Sequence, residues 1–145
     1  MTKSVISVRT DTSAGEVPKL LAHHEIGALP VLDRQDRLAG IVSQGDFLRY
    51  CLPGYVRFLN MVVYFEEASL LNNISHFASE VTVEDIMTRR VVWLPDDAPL
   101  TKVVSVMLGE GVKHIPVLSE GSLVGIISRT DIIRLLAGLI KEGAQ

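Results

Sequence analysis

The chain has 145 residues, the length of one ordinary domain, and its 14 Lys and Arg against 17 Asp and Glu give a net charge of −3. This balance excludes a nucleic-acid binder that works through bulk positive charge, because such affinity comes from neutralised phosphates. Hydrophobic residues make up 48% of the chain, so it can form a core, yet no apolar run reaches the roughly 18–20 residues of a membrane span. A single cysteine, Cys51, excludes an internal disulfide, and we expect a globular cytoplasmic protein without a membrane segment.

The chain begins with the element pattern β-α-β-β-α. A β-branched run over 3–8 favours a strand, and apolar residues spaced three and four apart before Gly27 favour a helix, which tolerates Pro18 only in its first turn. Two apolar runs separated by a polar turn then predict a β-hairpin over 28–42. A second helix is expected to open at Ser43-Gln44-Gly45-Asp46.

The middle of the chain differs from its flanks, because seven of the eight aromatic residues lie between 47 and 77. Pro53-Gly54 breaks the preceding helix, so 53–79 forms a separate segment. Apolar residues over 55–66 predict a helix with a broad apolar face, and 70–77 predicts a second short stretch. This face either packs over the rest of the chain or forms a dimer surface, and both can hold together.

The second half of the chain repeats the first. When 1–34 is aligned with 87–120 and, with one residue dropped in the hairpin turn, 36–52 with 121–137, we count 14 identities in 51 pairs. The identities fall at structurally demanding positions, where the fold restricts the type of residue, such as the Pro-Val-Leu of each hairpin. A unit of about fifty residues is too small to bury its sheet alone, so the two copies are expected to pack together.

The elements of the second copy follow in the same order. A helical lead-in is expected over 81–86, then a strand over 89–94, and then a Pro-Asp turn in which Asp97 caps a helix with one apolar stripe. A hairpin over 114–127 comes next, and the last helix opens at Ser128-Arg129-Thr130-Asp131.

The motifs Glu84–Thr88 (EDIMT), His114–Leu118 (HIPVL) and Gly125–Asp131 (GIISRTD) together closely resemble the CBS motif. The motifs Ala28–Asp33 (ALPVLD) and Gly40–Asp46 (GIVSQGD) resemble it a second time. The resemblance implies a stand-alone CBS pair, also called a Bateman module. Members of this family commonly sense adenosine-containing ligands, and many of them form part of larger enzymes, channels or transporters.

The fold implied is α+β, with tandem β-α-β-β-α motifs packed through their sheets with pseudo-twofold symmetry and a helical segment inserted between them. The predicted organisation is CBS motif 1 over 1–52, the inter-motif segment over 53–79, CBS motif 2 over 80–138 and a C-terminal tail over 139–145.

The Ser-x-x-Asp stretches carry the most chemistry. A helix N-terminus offers backbone N–H groups and a positive dipole end, and the carboxylates of Asp46 and Asp131 suit a ribose diol. In the resembled family the matching aspartate contacts ribose, with the hydroxyl of Ser43 or Ser128 beside it. The alternative is that each pair merely opens its helix and complements the dipole.

The resemblance also implies how each cleft is built. Ser43 and Asp46 would work with Arg90–Val92, while Ser128 and Asp131 would work with Ser4–Ile6. The apolar walls for adenine would be Ile6, Leu29, Pro30, Val91, Val92, Ile115 and Pro116. An apolar wall is weak evidence by itself, because such residues equally serve as core.

The two clefts differ in charge. Lys113, His114 and Arg129 cluster around the second hairpin and are candidates for phosphate contact. Their counterparts in the first copy are uncharged. The alternatives are that His114 is a solvated histidine at the hairpin edge and that Arg129 is an ordinary surface arginine.

The sequence contains no catalytic constellation, so an enzyme is disfavoured, and the adjacent His23-His24 lacks the spacing of metal ligands. Arg89-Arg90 is too small a patch to indicate nucleic-acid binding. The leading hypothesis is a homodimeric regulatory module that needs no cofactor. It binds AMP, ADP, ATP or S-adenosylmethionine and signals to an unidentified effector protein. The alternative is a structural dimerisation or interaction module with no physiological nucleotide ligand.

Overall fold

The computed structural model describes residues 5–51, 56–58, 61–63, 75 and 79–143. The first motif contains β1 (Val8–Arg9), α1 (Glu16–His24), β2 (Ala28–Leu32), β3 (Leu38–Ser43) and α2 (Gln44–Cys51). Between the motifs lie β4 (Val56–Phe58) and β5 (Met61–Val63), and α3 (Val83–Ile86) leads into the second motif. The second motif contains β6 (Leu94–Pro95), α4 (Leu100–Glu110), β7 (His114–Ser119), β8 (Ser122–Ser128) and α5 (Arg129–Gly143). Each motif forms a three-stranded sheet, which confirms the expected α+β fold.

The two sheets share the same strand order and register. Strand β1 runs parallel to β2 with Val8 opposite Val31, and β6 runs parallel to β7 with Leu94 opposite Val117. Both hairpins pair antiparallel, as predicted, and their register shifts directly after Val31 and directly after Val117. The two halves that repeat in sequence therefore also repeat in backbone structure, including the position of the register shift in the hairpin.

The first strand of each motif is shorter than predicted. The runs 3–8 and 89–94 were expected to be strands, but among their described residues, from 5 onward in the first run, pairing is limited to β1 and β6, which have two residues each. Residues 5–7 and 91–93 approach their sheets without joining them. Their side chains are therefore available to line surface clefts.

The helices follow the apolar periodicity, with two differences at their ends. Pro18 is the third residue of α1 and so lies in the first turn, as predicted. Asp97 does not cap α4, because that helix begins at Leu100 after Pro99 and has no side-chain cap. Helix α5 continues through 139–143, which the repeat leaves outside the second motif.

The helix predicted over 55–66 is wrong where the structure describes this segment. Strands β4 and β5 pair antiparallel, with Val56 opposite Val63 and Phe58 opposite Met61. Three of the six paired residues are valines, whose β-branched side chains favour strands. Except for residue 75, the second predicted stretch over 70–77 lies outside the described residues.

The predicted lead-in helix is present as α3, and it packs on the first motif. The Thr12 carbonyl accepts a hydrogen bond from the Val83 N–H at 2.8 Å, and the Ala14 N–H donates to the Val81 carbonyl at 2.8 Å. Val81, Val83 and Ile86 are buried in the same hydrophobic cluster as residues of β1, β2, β3 and α1. The core of the first motif is thus completed by chain that lies next to the second motif in sequence.

Candidate functional site

Both Ser-x-x-Asp stretches close the first turn of a helix by the same reciprocal hydrogen bonds. Ser43 N–H donates to Asp46 Oδ2 at 2.9 Å, and Asp46 N–H donates to Ser43 Oγ at 3.1 Å. The Ser128 N–H and Asp131 Oδ2 are 2.8 Å apart, and the Asp131 N–H and Ser128 Oγ are 3.1 Å apart. In each motif carboxylate oxygen Oδ2 therefore has the helix-opening role, although Asp46 Oδ2 also accepts from the Ser43 and Thr88 hydroxyls, and the largest difference lies at Oδ1.

In the first motif the second oxygen is also occupied. Arg49 donates to Asp46 Oδ1 at 2.7 Å, and the Thr88 hydroxyl donates to the same oxygen at 3.2 Å. The Asp46 side chain is only 9% exposed. With this set of partners, the Asp46 carboxylate links α2 to the chain that enters the second motif.

Thr88 reaches Asp46 because its backbone pairs with β3. Thr88 N–H donates to the Ile41 carbonyl at 2.8 Å, and Ile41 N–H donates to the Thr88 carbonyl at 3.0 Å. Gly40 permits this approach, since a Cβ there would lie only 2.8 Å from the Thr88 carbonyl oxygen. The first cleft is closed by the chain's own backbone and side chains.

In the second motif Asp131 Oδ1 has no hydrogen-bond partner among the described residues. Asp131 lies in the wall of a cavity of about 580 Å³, a volume within the range of small-molecule sites. Arg134, the repeat counterpart of Arg49, lines the same cavity and forms no ion pair within the described part of the chain. The carboxylate oxygen and the guanidinium are both available to a ligand.

Both motifs contribute to this cavity. The first motif supplies apolar side chains, among them Val5, Ile6 and Ile26, from the unpaired approach to β1 and from the loop after α1. The second motif supplies polar and charged groups from the start of β7 and from the opening of α5. The first motif also supplies His24, Glu25 and Gln44, so the lining combines apolar and charged groups, as a nucleoside phosphate requires.

His114 fits into this cavity because Gly27, which lies beside its imidazole, has no side chain. A Cβ on Gly27 would lie 2.8 Å from His114 Nε2, so only glycine leaves room for the imidazole. Burial lowers the pKa of His114 below the usual value of 6.5, Lys113 lowers it further, and Asp131 opposes the shift. The imidazole is therefore neutral at neutral pH and can act as hydrogen-bond donor or acceptor.

The structure brings together seven of the predicted site residues. The cavity is lined by Val5, Ile6, Lys113, His114, Ser128, Arg129 and Asp131, while Ser4 lies outside the described residues. It is also lined by residues that the sequence interpretation missed, namely His24, Glu25, Ile26, Ala28, Gln44 and Arg134. Of these, Arg134 could have been found from its position three residues after Asp131, on the same helix face.

The remaining predicted residues lie elsewhere. Leu29, Pro30, Ile115 and Pro116 were expected to form adenine walls, but all four are fully buried in the two hydrophobic cores and do not line the cavity. Ser43 and Asp46 lie in the closed first cleft, Val91 lines a separate shallow groove with Trp93, and Val92 lines neither space. The two clefts differ in geometry, and the difference arises from the hydrogen bonds to Asp46 as well as from the predicted difference in charge.

Neither a metal-binding cluster nor a membrane-spanning helix occurs in the part of the chain that the structure describes. Its His, Cys, Asp and Glu side chains form no group of three or more that could hold a metal ion. Its helices include none with the length and apolar character needed to cross a membrane.

A family model for the CBS domain matches residues 1–53 and 83–138. The chain belongs to the CBS domain family. The CBS pair is 28% identical over 149 residues to the uncharacterized protein MJ1426 of Methanocaldococcus jannaschii, and the match covers 92% of this chain and 87% of that protein.

Solved structures of CBS domains show the same fold. The CBS domain of a CBS domain-containing membrane protein from Sphaerobacter thermophilus is 28% identical, with a TM-score of 0.72 over 90% of this chain and 81% of that chain. The CBS domain pair of protein MJ0100, solved in complex with 5′-methylthioadenosine and S-adenosyl-L-methionine, is 27% identical, with a TM-score of 0.72 over 95% of this chain and 92% of that chain. The resemblance inferred from the sequence motifs is confirmed.

Proposed function

We propose that this CBS pair is a cytoplasmic regulatory module that binds an adenosine-containing ligand in the cavity between its two motifs. The observation that carries the proposal is the Asp131 carboxylate, which has one oxygen without a partner among the described residues and lies in a cavity of about 580 Å³. A ribose diol would donate to that oxygen. The complex of the MJ0100 CBS pair with two adenosyl compounds supports this ligand class.

The lining explains how occupancy would be communicated. A ligand there touches Ile6 and Ile26 of the first motif and Asp131 of the second at once. Binding therefore favours arrangements that keep these surfaces of the two motifs at a fixed distance from each other. An effector protein that recognises one arrangement better than another would respond to the ligand, because coupling requires a difference in affinity between states.

The experiment that tests this function is calorimetric titration with AMP, ADP, ATP and S-adenosylmethionine. Asp131→Ala is expected to abolish binding, while Asp46→Ala, the matched substitution in the closed cleft, leaves it intact. No heat and no thermal shift with any of the four at millimolar concentration would reject a ligand sensor.

An exposed apolar face on helix α5 favours a second candidate, an interaction module that dimerises without a nucleotide. Ile133 is 65% exposed and Ile140 is 72% exposed, and Leu136 lies between them on the same face of the helix. A second copy of the chain would cover this face through a twofold interface, because an apolar stripe along one helix is complementary to itself. The two functions are compatible in one homodimer.

Light scattering on the purified protein tests the dimer. We expect the wild-type protein to be a dimer and Ile133→Glu with Ile140→Glu to be a monomer. Lys102→Glu, an exposed change on helix α4, serves as the control and should remain dimeric. A wild-type monomer at high concentration would refute the interface.

A further inference from the structure

We infer that the cavity selects a phosphate ester of adenosine over the S-adenosyl sulfonium cation, and that Arg134 is the residue that determines this selectivity. The inference rests on the proposed function, since it concerns the same cavity. It departs from the complex of the MJ0100 pair, in which one of the two adenosyl compounds is S-adenosylmethionine.

The first step is the charge of the lining. Lys113, Arg129 and Arg134 bring three permanent cations to the cavity, against the carboxylates of Glu25 and Asp131. None of the three cations forms an ion pair within the described residues. The lining therefore has an excess of positive charge that is not neutralised by the chain itself.

The second step is the comparison of the two repeats. Arg49 and Arg134 occupy the same position, three residues after the aspartate of their motif, yet only Arg49 is paired, with Asp46 Oδ1 at 2.7 Å. The Arg49 charge is thus paired with the Asp46 carboxylate within the first cleft. Arg134 retains its charge and its guanidinium donors in the wall of the open cavity.

The third step is the chemistry of the ligand. A phosphate ester offers several oxygen acceptors to a planar guanidinium, which can bind two of them at once. S-adenosylmethionine offers a single carboxylate as acceptor, and its sulfonium and ammonium groups place two positive charges near three cations, which repel them where water is partly excluded. The ribose contact to Asp131 is common to both compounds, so it cannot distinguish them.

The histidines of the cavity do not reverse this preference. His114 is neutral at neutral pH, and His24, from the end of helix α1, brings no negative charge. The carboxylates among the described residues of the lining are Glu25 and Asp131, and Asp131 keeps its negative charge when it accepts from the neutral hydroxyls of ribose. Three cations against two carboxylates leave an excess of positive charge, which favours the phosphate ester.

The test is calorimetric titration of wild-type protein, Arg134→Gln and Arg49→Gln with AMP, ATP, neutral adenosine and S-adenosylmethionine. We expect wild-type protein to bind AMP or ATP at least about tenfold more tightly than adenosine, and S-adenosylmethionine most weakly. Arg134→Gln should reduce affinity for the phosphate esters about 10- to 100-fold and change adenosine binding little. Arg49→Gln, the matched control, should leave all four affinities unchanged within about twofold.

The outcomes separate the two proposals. If S-adenosylmethionine binds as tightly as AMP, or Arg134→Gln weakens adenosine as much as AMP, the proposed function stands and the selectivity is refuted. If none of the four compounds binds, the proposed function itself is refuted. Circular dichroism of each variant confirms that the fold is retained before affinities are compared.

Discussion

Asp46 and Asp131 occupy equivalent positions, yet their replacement is expected to have different consequences. Asp46→Ala should lower the free energy of unfolding without weakening ligand binding, because Asp46 is used entirely within the protein. Asp131→Ala should abolish binding with a smaller loss of stability. The pair is a controlled comparison, since the two aspartates share the same helix-opening hydrogen bonds.

The magnitudes follow from the contacts that each substitution removes. Both variants leave a partly buried serine N–H without its acceptor, which costs about 1–2 kcal/mol. Asp46→Ala also deprives the Thr88 hydroxyl and the Arg49 guanidinium of their acceptor. The guanidinium is largely exposed and loses little, so the additional cost is about 1–2 kcal/mol. For a chain of this size that difference corresponds to a melting temperature about 2–8 °C lower.

Urea unfolding of both variants without ligand, followed by circular dichroism, measures the difference in stability. Titration with AMP under native conditions measures the difference in binding. Equal unfolding free energies would refute the assignment of Thr88 and Arg49 as structural partners of Asp46. Loss of AMP binding in a folded Asp46→Ala protein would show that the first cleft also binds ligand.

Two further predictions concern residues whose surroundings are well defined. Gly40→Ala is expected to lower the free energy of unfolding by about 1–3 kcal/mol, because its Cβ would meet the Thr88 carbonyl oxygen at 2.8 Å. Gly138→Ala on helix α5 should raise the free energy of unfolding by about 0.5–1 kcal/mol, since its Cβ would have nothing within 4 Å. Urea unfolding measures both changes. His114 has a pKa lowered by burial and by its cationic neighbour, so below pH 6.5 the unfolded chain binds a proton that the folded protein does not. The free energy of unfolding should therefore fall as pH drops from 6.5 towards the lowered pKa. His114→Gln should reduce this fall, whereas the control His23→Gln should not. Urea unfolding at about pH 7.5 and about pH 5.5 measures the difference.

Each of these has an outcome that would contradict it. A Gly40→Ala protein as stable as wild type would mean that β3 and the Thr88 backbone can separate without cost. A His114→Gln protein with the same loss of stability at low pH would assign that loss to another group.

The hairpins could be predicted from the sequence because their determinants are local. Apolar runs, polar turns and the repeated Pro-Val-Leu lie within twenty residues of each other, and the structure has both hairpins. The adenine walls could not be predicted in the same way. Strand β2 is buried over four consecutive residues, Ala28 to Val31, so Leu29 and Pro30 pack inside the protein and only Ala28, at the start of the strand, reaches the cavity.

The difference between the two clefts could be predicted only in part. Lys113 and Arg129 have no charged counterparts in the first copy, and this much is visible in the alignment. The different roles of Arg49 and Arg134 are not visible, because each arginine lies three residues after its aspartate and only Arg49 pairs with it. The contact between Thr88 and Asp46 is not visible either, because it spans 42 residues of sequence. A contact of that length cannot be inferred from spacing and periodicity.

The packing of helix α3 on the first motif has a consequence for synthesis of the chain. When a ribosome has made residues 5–51, the first sheet and its helices are present in the chain, but Val81, Val83 and Ile86, which complete their core, are not. At about 5–20 residues per second, translation needs about 2–7 s more to supply them. During that interval the apolar surface that α3 will cover is open to solvent and to chaperones. The first motif is therefore the first to be synthesised and yet cannot be finished until the second has begun.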